Sequence, residues 1–110
     1  MREIRCIVFD DGELIKALLA HGRRTGKGLP AGQISSFEIE RGKEVIAKMT
    51  ITADDGNKMV VPTSGAELAA AMIAYCIDRK VPVPAHAAKS ITVLDDHVAL
   101  KITMSGEKPH

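Results

Sequence analysis

Aromatic side chains are scarce in this 110-residue chain: Phe9, Phe37 and Tyr75 make up the 3% present, and there is no tryptophan. Base-stacking platforms and aromatic cages need several such rings on one surface, so recognition of single-stranded nucleic acid by stacking is poorly supplied. Cysteine is rarer still. Cys6 falls in a predicted strand and Cys76 on the apolar face of a predicted helix, without metal-ligand spacing, which points to buried free thiols in a reducing compartment. No apolar run approaches the ~18 residues of a membrane-spanning helix, and Met1-Arg2-Glu3 leads into a strand without the zones of a secretory signal. A soluble cytoplasmic protein with no membrane partner is the expectation. The formal charge of +1 gives no global attraction for nucleic acid, so any such affinity must be local.

What the chain does have is 45% hydrophobic residues, enough for one core in a single domain spanning residues 1–110. It also has a repeat. Glu13 to Glu40 aligns on Glu67 to Leu94 at a constant offset of 54, and Val45 to Ile51 aligns on Val98 to Met104 after a one-residue deletion. Ten of these 35 pairs are identical, among them Glu13/Glu67, Ala17/Ala71, Pro30/Pro84, Lys48/Lys101 and Thr50/Thr103. Unrelated segments would share roughly two or three, so two pseudo-repeats over residues 3–52 and 58–105 are expected, sharing one core.

Each repeat reads as strand, helix, strand, strand. Ile4 to Phe9 is rich in β-formers and leads into Asp10 and Glu13, which have capping-box spacing; Leu14, Ile15, Leu18 and Leu19 follow at helical period, and Gly22 is a natural stop. Ser64 and Glu67 repeat the box, and Leu68, Ala69, Met72, Ile73, Cys76 and Ile77 form a stripe running about one turn longer, to Arg79 or Lys80. Ala70, Ala71 and Ala74 make a smooth strip opposite that stripe, suited to close packing on the first helix or on another protomer. Pro-Ala linkers and pairs of alternating strands follow each helix, and Asp54-Asp55-Gly56-Asn57 carries an Asp-Gly hairpin signal between the halves.

The predicted fold is α+β: a two-layer sandwich with a mostly antiparallel six-stranded sheet and both helices on one face. At the level of topology this resembles the duplicated strand-helix-strand-strand modules of gyrase-inhibitor-like small-molecule-binding domains, a likeness of fold that carries no function.

Two groups of residues stand out as candidate sites. Gly22 to Gly28 reads as a basic, glycine-rich loop that the second half lacks, and Arg23, Arg24, Thr25 and Lys27 are the parts of an anion-binding nest. Its glycine spacing and its place after a helix exclude a nucleotide phosphate-binding loop; the alternative is a solvated helix end. Lys48, Thr50, Lys101 and Thr103 alternate with apolar residues and should line the sheet face away from the helices, as a shallow cleft, a subunit contact or simply the wet face.

His21, His86, His97 and His110 show no metal-ligand spacing, and Asp95-Asp96-His97 is better explained as a turn than as an acid–base site. No catalytic residue, metal or cofactor is assigned. The leading expectation is a small binding or protein-interaction module, self-associating or taking a small anionic ligand. Nucleic-acid binding through residues 22–28, aided by Arg79 and Lys80, is the alternative. An enzyme using His21 on a phosphorylated or carboxylated substrate is a further one.

Overall fold

The chain runs β1 (Arg2–Val8), α1 (Asp11–Thr25), β2 (Gln33–Glu40), β3 (Ile46–Thr52), β4 (Lys58–Thr63), α2 (Gly65–Asp78), β5 (Ala88–Leu94) and β6 (His97–Ser105). These elements come from a computed structural model that describes residues 1–26 and 32–105; Lys27, Gly28, Pro30, Ala31 and His110 lie outside the described residues. The protein is α+β, with all strand pairings antiparallel among the described residues.

The strands do not join into the single six-stranded sheet expected. They form two three-stranded sheets, ordered β1-β6-β5 and β2-β3-β4. The Asp-Gly turn sets which sheet β4 joins. Gly56 adopts φ 89°, its N–H donates to the Ala53 carbonyl at 2.9 Å, and the Asp55 carboxylate accepts from the Asn57 N–H at 2.9 Å. This tight hairpin makes β4 the neighbour of β3, so the first strand of the second β-α-β-β series completes the sheet of the first. β1 takes the corresponding place beside β6.

The inner faces of both sheets and the two helices meet in one core. Leu14, Ala17 and Leu18 of α1 and Leu68, Ala71, Met72 and Cys76 of α2 pack with Ala47 and Met49 of β3 and Val98, Leu100 and Ile102 of β6. Burial of each large side chain here is worth roughly 1.5–3 kcal/mol, and the cluster draws on both series. Ala71, expected opposite the core stripe, is fully buried like its counterpart Ala17, whereas Ile77, expected in the stripe, is exposed. The apolar face of α2 is therefore turned from the position that a count of large side chains implies, toward the small ones.

The helix ends also differ from expectation. α1 continues past Gly22 to Thr25, because Gly22 sits on the buried face where packing outweighs its poor helix propensity. The helices thus end within one residue of equivalent positions rather than one turn apart. At their starts, Asp10 and Glu13 form the full reciprocal box, with Glu13 N–H donating to Asp10 Oδ1 at 2.7 Å and Asp10 N–H to Glu13 Oε1 at 3.1 Å. Ser64 makes only the forward bond, accepting from the Glu67 N–H at 3.4 Å.

The hairpins are related but not superimposable in register. Glu38 stands opposite Lys48, while Ser90 rather than Thr92 stands opposite Lys101. The second hairpin closes through Asp95 and Asp96, both at positive φ (51° and 63°), whereas the first needs residues 41–45. The slip is two residues, which leaves every side chain on its own face. Arg41 Nη2 lies 2.7 Å from Asp96 Oδ1 and joins the two hairpin tips.

Candidate functional site

The extension of α1 changes the chemistry of the basic segment. Arg23, Arg24 and Thr25 occupy the last helical turn, where amide groups are turned into the helix and cations complement the negative end of the dipole. The Thr25 hydroxyl donates to the His21 carbonyl at 2.9 Å. Residues 22–25 are therefore a helix end, not the open nest that the sequence suggests, and Lys27 lies outside the described residues.

Arg23 has a different setting. The start of α1 lies beside the end of α2, with the Phe9 and Tyr75 ring centroids 5.6 Å apart, and the end of α1 lies beside the start of α2, where His21 and Thr25 share a small cleft with Glu67. Between the helices on their outer side runs a groove of about 430 Å³, lined by Lys16 and Arg23 from α1, by Tyr75 and Asp78 from α2 and by Arg79 at its C-cap. Arg79 stacks over Tyr75, its guanidinium carbon 4.0 Å from the ring centroid, a cation–π contact that orients the positive head.

The four sheet-face residues alternate with buried ones as expected: Lys48 and Thr50 with Ala47, Met49 and Ile51, and Lys101 and Thr103 with Leu100 and Ile102. They stand on two different sheets, so a cleft built from one shared face is not formed. Lys48 is engaged by Glu40, Nζ to Oε1 2.8 Å, and Thr52 donates to Ser35 at 2.8 Å. Asp95 and Asp96 are turn residues, and His97 places a buried Nδ1 3.9 Å from Asp11 Oδ1, too far for a hydrogen bond. Among the described residues no group of three or more His, Cys, Asp or Glu is arranged to hold a metal ion. No helix among them is long and apolar enough to cross a membrane.

Sequence reasoning overlooked the feature that two short sheets create, namely open strand edges. Backbone groups of alternate residues in an antiparallel strand face its partner, and the others face away. The Phe9 N–H donates to the Val98 carbonyl at 2.9 Å, continuing the β1–β6 register, so Glu3, Arg5 and Ile7 turn their backbone groups to β6. Arg2, Ile4, Cys6 and Val8 turn theirs to the open edge. Their side chains line the outer face, with Ile4 54% and Val8 46% exposed and Cys6 exposed between them.

The other edges are blunted in recognisable ways. On β4 the Ala53 N–H donates to Asn57, which directs Lys58, Val60 and Pro62 outward, and proline offers no donor. β2 carries a register shift between Ile34 and Ser36 and the charges of Glu38 and Glu40. β5 shares a cleft with the loop of the first hairpin, lined by Lys89 to Ile91 and Lys43 to Val45. β1 presents seven residues in unbroken register and a donor at each outward position. The candidate binding surface is this edge and the apolar row beside it. Compared with known proteins, the chain matches no family, no curated protein and no solved structure.

Proposed function

We propose that the protein is a protein-interaction module that takes up an extended partner strand along the open edge of β1. The observation that carries this reading is the coincidence on β1 of outward backbone groups at Arg2, Ile4, Cys6 and Val8 with an exposed apolar row on the same residues. A strand added there gains main-chain hydrogen bonds along the edge, and alternate side chains of the partner meet Ile4 and Val8. Displayed peptides of strand length provide the test. Binders should protect the Ile4, Cys6 and Val8 amides from hydrogen exchange and should be lost in Ile4→Pro, which removes an outward donor without touching the β6 ladder. Selected peptides that bind elsewhere, or tolerate the proline, overturn the reading.

A small anionic ligand is a second reading, favoured by the meeting of Lys16, Arg23 and Arg79 in one interhelical groove. Arg23 and Arg79 come from different helices, so a carboxylate or phosphate seated there would bridge them with charge-assisted hydrogen bonds. Titration with inorganic phosphate should shift the NMR signals of these three side chains, and Arg79→Ala should abolish the shift. Unchanged signals in the wild-type protein exclude it.

A further inference from the structure

We infer that the strand taken up by β1 is β1 of a second copy, paired antiparallel about a two-fold axis at Ile4, so that two three-stranded sheets become one of six strands. This rests on the reading of β1 as an interaction edge and adds the partner and the register.

The backbone restricts the registers. Arg2, Ile4, Cys6 and Val8 carry the outward groups, so an antiparallel match must set these residues opposite one another. Three two-fold registers that overlap five or more residues of β1 satisfy this, with the axis at Ile4, Arg5 or Cys6. Axis placement at Arg5 sets that guanidinium against its own copy at a close, non-hydrogen-bonded pair, where Cα atoms approach to about 4.5 Å and like charges repel. At Cys6, Arg5 falls opposite the apolar Ile7 of the other copy.

Only the axis at Ile4 is complementary in charge. Glu3 then faces Arg5 of the second copy and Arg5 faces its Glu3, both at close non-hydrogen-bonded positions on the helix side of the sheet. On the outer face Ile4 meets Ile4, and Arg2 meets Cys6 on either side. All of Arg2 to Cys6 is exposed in the single chain, so each pairing covers accessible surface. The three outward residues of each strand in the overlap, Arg2, Ile4 and Cys6, then have backbone partners for both N–H and C=O.

Sedimentation velocity over a concentration series tests the inference on the whole chain, with circular dichroism confirming that each variant is folded. The wild-type protein should reach twice its 11.8 kDa mass in the submillimolar range. Glu3→Arg and Arg5→Glu should each weaken association about tenfold or more, because two attractive cross-strand pairs become repulsive. A mixture of the two single variants should restore association, since each arginine then faces a glutamate, and so should the double swap. A wild-type monomer throughout the series overturns the inference, as does a dimer indifferent to the single swaps or one that the mixture fails to restore. If the chain stays monomeric while displayed peptides still protect Ile4, Cys6 and Val8, the second copy is the wrong partner and the interaction edge stands. If neither peptides nor a second copy engage β1, the edge itself is not the binding surface.

Discussion

Gly26 and Lys80 hold the same left-handed backbone conformation 54 residues apart, at φ 76° and φ 59°, each just beyond the end of its helix. After α2 the Val81 N–H returns to the Cys76 carbonyl at 2.8 Å and the Lys80 N–H to Ile77 at 3.0 Å, the paired bonds of a Schellman ending. Glycine adopts this conformation without steric cost, and lysine does not. Lys80→Gly should therefore raise stability by about 0.5–1 kcal/mol, and Gly26→Ala should lower it by a similar amount. A Cβ at Gly26 would meet no atom within 4 Å, so that loss is conformational alone. Urea unfolding of both variants measures it, and equal midpoints for Lys80→Gly and wild type would show that the helix end does not need the turn.

The helix starts are unequal in the opposite sense. Asp10 takes part in two hydrogen bonds with Glu13, while Ser64 makes one long bond to Glu67. Asp10→Ala should cost about 1–2 kcal/mol and Ser64→Ala about 0.5 kcal/mol, read from thermal midpoints. An equal cost at both sites would mean that the reciprocal half of the box contributes nothing.

These pairs also show how far the residues could be read without a structure. Capping spacing, strand alternation and the Asp-Gly turn are local signals, and the helix starts, the β3–β4 hairpin and the inward rows at Ala47 to Ile51 and at Leu100 and Ile102 follow from them. Gly22 misled because a helical glycine on a buried face looks like a stop signal; the true one is Gly26, which aligns on Lys80. Alternation names the face of a strand and not its neighbour, so the placement of β1 beside β6 required the tertiary structure. The open edge of β1 was hidden for the same reason: within one six-stranded sheet, edges and neighbours are distributed differently.

Gly32 answers to a tighter constraint than Gly26. It adopts φ 145°, and a Cβ there would lie 2.6 Å from the Thr52 carbonyl oxygen and 2.9 Å from Ile51 Cγ2. Both neighbours belong to β3, the central strand of its sheet, and backbone there cannot retreat without breaking two ladders. Gly32→Ala should cost about 2 kcal/mol or more, since strain and overlap act together. A fall in the urea midpoint clearly larger than that of Gly26→Ala would separate close approach from conformation, and a smaller one would show that the start of β2 can move away.

The two thiols should differ in reactivity, and the burial of Cys76 should make stability depend on pH. Cys6 lies on the open face of β1, whereas Cys76 is 1% exposed; burial, and then the Glu13 carboxylate, push its thiol above the ordinary value of 9.0. A maleimide should label Cys6 in the native protein and Cys76 only at the rate of unfolding. The unfolded chain releases the Cys76 proton at lower pH than the folded one does. Its stabilising effect is therefore intact below about pH 9 and is lost as pH rises toward the folded value. Wild-type stability in urea should fall across this alkaline range more steeply than that of Cys76→Ala, which loses packing at every pH but has no proton there to release. Parallel slopes would mean that the thiolate is tolerated in the core, and equal labelling rates for Cys6 and Cys76 would mean that α2 does not cover Cys76.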